Sequence, residues 1–158
     1  MRKILAFLIL ALSFSVIPEF PVYAEVKDFD FLAVDVPKGW TAEQQGPSMV
    51  VIKSQKSQSS LSLALSSKGN ASIKEIAERL YTQLNGFDME QDDEGDYSFY
   101  YVDKAGLENF VYVVDGDDEQ YIFSSSYAAN DKDFDIINKM IDSAEFALAD
   151  DEDDYDED

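Results

Sequence analysis

The spacing of apolar residues changes along this chain, and each spacing marks a different kind of segment. From Ile4 to Ile17 the run is almost continuously apolar, behind Arg2-Lys3 and ahead of Pro18-Glu19. Further on, Phe29 to Val36 is dense in strand formers and is closed by the turn formers of Pro37-Lys38-Gly39-Trp40. Met49 to Lys53 is a short apolar run, and Leu61, Leu63 and Leu65 alternate with Ser62, Ala64 and Ser66. A period of two predicts strands, here joined by the polar loop from Ser54 to Ser60. The period then lengthens: Ile73, Ile76, Ala77, Leu80 and Leu84 share one face of a helix. Ser72 with Glu75 predicts a capping box at its start, and Asn85-Gly86 predicts its end.

The second half repeats this logic. Tyr97 to Val102, Asn109 to Val114 and Gln120 to Tyr127 are rich in Tyr, Phe and Val, with Asp115-Gly116 as a hairpin turn between the last two. Asn130 or Asp131 caps a closing helix whose apolar face is Phe134, Ile137, Met140, Ile141 and Ala144. The expected order is three strands, helix, three strands, helix, which predicts an α+β fold: an antiparallel sheet flanked by two helices. The expected organisation is a leader over residues 1–24, one domain over 25–149 and an acidic tail over 150–158 with no apolar face to bury.

The apolar start is expected to be an export signal. It falls short of the roughly 20 residues that span a bilayer, and Val22-Tyr23-Ala24 supplies small residues where a signal peptidase cuts. Cleavage after Ala24 would leave no membrane anchor and place the chain in the periplasm or the medium. The chain has no cysteine, so neither a lipid-modified cysteine nor a disulfide is possible and packing alone must hold the domain.

Charge narrows the partners. With 33 acids against 12 bases the formal net charge is -21, a surface that repels phosphate backbones, so nucleic acid is not an expected partner.

Phe31 to Trp40, with its Val34-Asp35-Val36-Pro37-Lys38-Gly39-Trp40 core, resembles the opening strand and turn of PsbP-like and DcrB-like domains. The element order that follows is similar to theirs over roughly Val26 to Ala147. The resemblance implies a non-catalytic binding or adaptor role among periplasmic proteins and a photosystem subunit of the thylakoid lumen, since no shared catalytic residues travel with the fold. The bacterial DcrB-like proteins are often lipoproteins; lacking cysteine, this chain departs from that pattern.

Candidate chemistry is sparse. Without histidine or cysteine there is no histidine-dependent triad and no His-ligated zinc or copper. Close carboxylate pairs are abundant, but 33 acids produce such pairs by number alone, so an enzyme is not expected. Asp92, Asp93, Glu94 and Asp96 surround Gly95, and Asp115, Asp117, Asp118 and Glu119 surround Gly116. Oxygen ligands at turns are what calcium takes, so Asp92, Asp93, Asp96, Asp115 and Asp117 are the candidate ligands of an alternative reading, a weak divalent-cation binder. Neither cluster has the spacing of an EF-hand loop, and the plainer expectation is solvated turns.

The acidic tail suits either solubility or a basic partner. Trp40 is expected to anchor its turn from the core. The aromatic stripe Phe99, Tyr101, Phe110, Tyr112, Tyr121 and Phe123 is expected to be sheet packing rather than a ligand platform. Asn70-Ala71-Ser72 matches a glycosylation acceptor, but Ser72 is needed as a helix cap. The leading expectation is therefore an exported, non-catalytic binding module for an unidentified protein partner.

Overall fold

The computed structural model describes residues 24–116 and 119–148. The expected leader, apart from Ala24, lies outside these residues, as do the acidic tail and Asp117. Among the described residues the order is β1 (Ala24–Phe29), β2 (Leu32–Pro37), β3 (Trp40–Gln44), β4 (Met49–Ser54), β5 (Ser60–Ser67), α1 (Ile73–Leu84), β6 (Phe87–Gln91), β7 (Tyr97–Val102), β8 (Glu108–Asp115), β9 (Gln120–Tyr127), α2 (Asp131–Ser143) and β10 (Glu145–Phe146). The α+β class stands, with more strands than the expected three before each helix.

The added strands have simple causes. The stretch around Phe29–Val36 is not one strand; Asp30 and Phe31 turn the chain back, so that Phe29 faces Leu32 and β1 and β2 form a hairpin. The segment after Trp40 and the segment after Gly86 become β3 and β6, the outermost strands of a seven-stranded antiparallel sheet ordered β3-β4-β5-β9-β8-β7-β6. A separate sheet, β1-β2-β10, is closed by the pairing of Glu145 with Ala33 and of Phe146 with Leu32.

Strand alternation sends side chains to opposite faces of the large sheet, and each face has its own core. On the first, Val50, Ile52, Leu61, Leu63 and Ile122 pack with Leu32, Val34 and Val36 of β2, Trp40, Phe146 of β10, and Ile137, Met140 and Ala144 of α2 and its C-cap. On the second, Ile76 of α1 packs with Phe99, Val111 and Val113, supported by Leu80, Tyr81, Tyr101, Tyr121 and Phe123. The helices thus take opposite faces: α1 lies on β7 and β8, whereas α2 lies against β2.

Local chemistry fixes the helix ends. Ser72 and Glu75 form a full capping box, and the chain leaves α1 through Asn85 in the left-handed region at φ 52°. At α2, the Asn130 side chain accepts from the Asp133 amide, 3.0 Å. The Asp133 carboxylate accepts from Ser57 Oγ and Ser59 Oγ, both at 2.7 Å, and from Asn130 Nδ2 at 3.1 Å. This knot ties α2 to the β4–β5 loop.

Candidate functional site

The sheet is clasped unevenly. Along the first face, α2 and the small sheet cover the β3-β4-β5-β9 half, while among the described residues no helix lies above the same face of β8, β7 and β6. Register places Phe87 opposite Tyr100 and Tyr100 opposite Phe110. Their rings form a ladder across the three strands, with centroids 6.0 Å apart for the first pair and 5.1 Å for the second. Beside this ladder β9 contributes Ser124 and Ser126, paired with Tyr112 and Phe110. Small side chains at those two positions leave a gap between the sheet and α2.

The gap is an open cleft of about 660 Å³. Leu63, Val114, Ile122 and Ile141 line it from the core side, and Tyr100, Phe110, Tyr112, Tyr127 and Phe134 supply aromatic surface. Ser124, Ser126 and Asn138 add hydroxyl and amide groups, and Glu108 and Asp135 add carboxylates. Phe134 is 50% exposed and Tyr100 36%. Phe134 therefore corrects the expectation that it belongs to the buried face of the closing helix: Ile137, Met140 and Ala144 fill the core, and Phe134 lies at the cleft instead.

The aromatic stripe divides in the same way. Phe99, Tyr101, Tyr121 and Phe123 pack under α1, as sheet packing requires. Phe110 and Tyr112, one position out of phase, belong to the cleft. Trp40 is buried in the first core. Tyr100, Tyr127, Phe134, Glu108, Asp135 and Asn138 escaped the sequence reading as a site. The signal available for them was the serine pair of β9 facing the aromatic positions of β8.

One end of the cleft is held by the β6–β7 turn. The Tyr112 hydroxyl donates to Asp92 Oδ2. Burial raises the Tyr112 pKa above its ordinary value, and the bond to Asp92 and the negative charges of Asp96, Asp92 and Glu94 raise it further, so the phenol stays protonated as a donor. Asp92 Oδ1 accepts from the amides of Glu94, 3.0 Å, and Asp96, 2.9 Å. Asp96 is buried and accepts from the Asp115 amide at 3.0 Å. Burial raises its pKa, the Asp115 amide opposes this, and Asp92, Glu94 and Asp115 raise it again through charge repulsion. Asp115 pairs with Lys68.

The structure therefore brings Asp92 and Asp96 of the β6–β7 turn beside Asp115 at the end of β8, each engaged by backbone amides, Tyr112 or Lys68. Asp93 is exposed on the same turn, and Asp117 lies outside the described residues. Among the described residues no group of three carboxylates is placed to hold a metal ion, and no helix is long and apolar enough to cross a membrane.

A large antiparallel sheet with a helix on either face is an α+β arrangement. The chain is similar to the solution structure of cyanobacterial PsbP (CyanoP) from Synechocystis sp. PCC 6803, at 14% identity with a TM-score of 0.54, covering 84% of this chain and 97% of that one. At that identity the likeness is one of fold. None of the protein-family models or curated proteins compared with the chain matches it.

Proposed function

We propose that this protein is an exported, non-catalytic binding module that receives an apolar segment of a partner in the cleft between α2 and β7–β9. The observation that carries the reading is the aromatic lining of the cleft, with Phe134 and Tyr100 left in contact with water. Concave, mostly apolar sites with a few polar groups are where ligands bind, and solvent-facing aromatics are favoured anchors of protein recognition. The PsbP-like fold supports the non-catalytic part, because the family resembled here carries no common catalytic residues. Export rests on the pattern of residues 1–24.

The test is to select binders from a random peptide library on the wild-type domain and on Ser126→Trp, which fills the cleft from the β9 side. Selected peptides are expected to shift the amide resonances of β8 and α2 and to lose binding to the filled variant, with an unchanged far-ultraviolet spectrum reporting that it still folds. Peptides that bind both forms equally and move resonances elsewhere would remove the cleft from the function.

A further inference from the structure

Among the described residues, the charged side chains that line the cleft share one sign. Glu108 and Asp135 are the charged residues that line it, and both are exposed. Lys132 and Lys139 neighbour Asp135 along α2, but neither lines the cleft. At the other end, the Tyr112 hydroxyl is held by Asp92, and Asp96 and Glu94 add to the negative field there. Between the two ends run the apolar faces of Phe110 and Tyr112 on β8, with Tyr100 beside them.

This layout has a length. Glu108, Phe110 and Tyr112 occupy alternate positions of one strand, so the acidic ends are separated by about four residues of extended chain, roughly 13–14 Å. An extended peptide with cations at its first and fifth positions and apolar side chains between them has the same span, and its first, third and fifth side chains share one face. Arginine suits such a place twice over, since its guanidinium pairs with carboxylates through a planar fork and stacks on aromatic faces. A net charge of -21 draws cationic partners from a distance and repels anionic ones. The chain's own acidic segment, Asp150 to Asp158, has the wrong sign to occupy this cleft.

We propose that the occupant of the cleft is a short basic-apolar segment of a partner protein, its apolar side chains against Tyr100 and Phe110 and its cations at Glu108 and Asp135 and at the Asp92 end. This rests on the binding-module reading and adds the partner's chemistry to it.

The experiment uses three synthetic fluorescein-labelled peptides with the cores Arg-Leu-Phe-Leu-Arg, Gln-Leu-Phe-Leu-Gln and Glu-Leu-Phe-Leu-Glu. Binding to the protein is followed by anisotropy at low and at high salt, and the bound site by amide resonance shifts. The basic peptide is expected to bind at least about tenfold more tightly than the neutral one at low salt, a gap that narrows as screening rises, with shifts on β8 and α2. In the doubly reversed Glu108→Lys/Asp135→Lys protein the basic peptide is expected to lose its advantage over the neutral one. The milder Glu108→Gln/Asp135→Asn pair should abolish most of the preference, and it serves if the reversed protein does not fold. Equal binding of basic and neutral peptides at the cleft overturns the charge inference and leaves the cleft as a binding site. Binding of none of the three, or shifts confined to the α1 face, overturns both.

Discussion

Replacing Asp133 with alanine removes the acceptor on which three donors converge, and the cost can be worked from their surroundings. Ser59 is 1% exposed, so its hydroxyl, 2.7 Å from Asp133 Oδ2, has no water to turn to when the carboxylate goes. A buried donor left without its partner costs about 1–3 kcal/mol. Asp133 also lies in the first turn of α2, where its charge meets the positive end of the helix, a contribution of about 0.3–1 kcal/mol. Ser57 and Asn130 are less buried and recover much of their bonding from water. The sum is a loss of about 1–4 kcal/mol.

With a urea slope of about 2 kcal/mol per molar, the unfolding midpoint of Asp133→Ala falls by about 0.5–2 M at neutral pH. The pH dependence has a definite sign. The bonds from Ser57 and then Ser59 hold the folded Asp133 pKa below its ordinary value, with smaller help from Asn130 and Lys132. The stability this confers is present above the unfolded value of about 3.9 and is lost as pH falls through the lower, folded value. Urea titrations of wild type and variant should therefore draw together as pH falls through the lowered, folded Asp133 pKa. Asp133→Asn, which keeps the volume and one acceptor oxygen, should lose less and show no such convergence. An unchanged midpoint at neutral pH, or a gap as wide in acid, would refute the reasoning.

Asp96 predicts the opposite sign. Its pKa is raised, chiefly by burial, so its ionised form weighs against folding at neutral pH. Asp96→Asn, which can still accept from the Asp115 amide, should melt higher than wild type at pH 7, with the advantage fading in acid as the wild-type carboxyl protonates. Gly86→Ala should cost about 1–3 kcal/mol by chemical denaturation, because a Cβ there would stand 2.7 Å from Tyr81 Cδ2 and 2.8 Å from Phe99 Cδ2, rings already packed edge to face. Millimolar calcium should leave the melting midpoint unmoved, since Asp92, Asp96 and Asp115 are already bonded to amides, Tyr112 or Lys68. A midpoint that climbs with calcium concentration would show a site that binds only the folded state.

What could be read beforehand depended on how much of an element is buried. The Leu61-Leu63-Leu65 alternation marks a central strand, and the steps of three and four in α1 mark a helix with one covered face, so both were plain. The strands that escaped notice are edges or fragments. β1 and β3 are mostly exposed, β10 has two residues, and β6 is broken by a register shift, with Asp88 at φ 53°. Edge strands bury little, and their sequences carry little apolar signal.

The cleft was hidden for a different reason. Alternation alone separates Phe110 and Tyr112 from Val111 and Val113, but it does not say which set lacks a cover. That depends on α2 settling over the β5–β9 half of the sheet, a contact made through β2 from the far end of the chain. The acidic turns were legible as turns, whereas the Tyr112 bond to Asp92 required the strand register.

The pairing of β2 with β10 bears on when the domain can form at all. Phe146, fully buried, sits opposite Leu32 near the other end of the described chain, and Ala147 donates its amide to the Phe31 carbonyl. The first core therefore stays open until nearly the last of these residues has arrived. The α1 side of the sheet is built from elements closer in sequence, α1 with β7 and β8, and does not need that pairing. A chain cut short before residue 145 therefore lacks the strand that completes this core and should be cleaved by proteases far faster than the full chain.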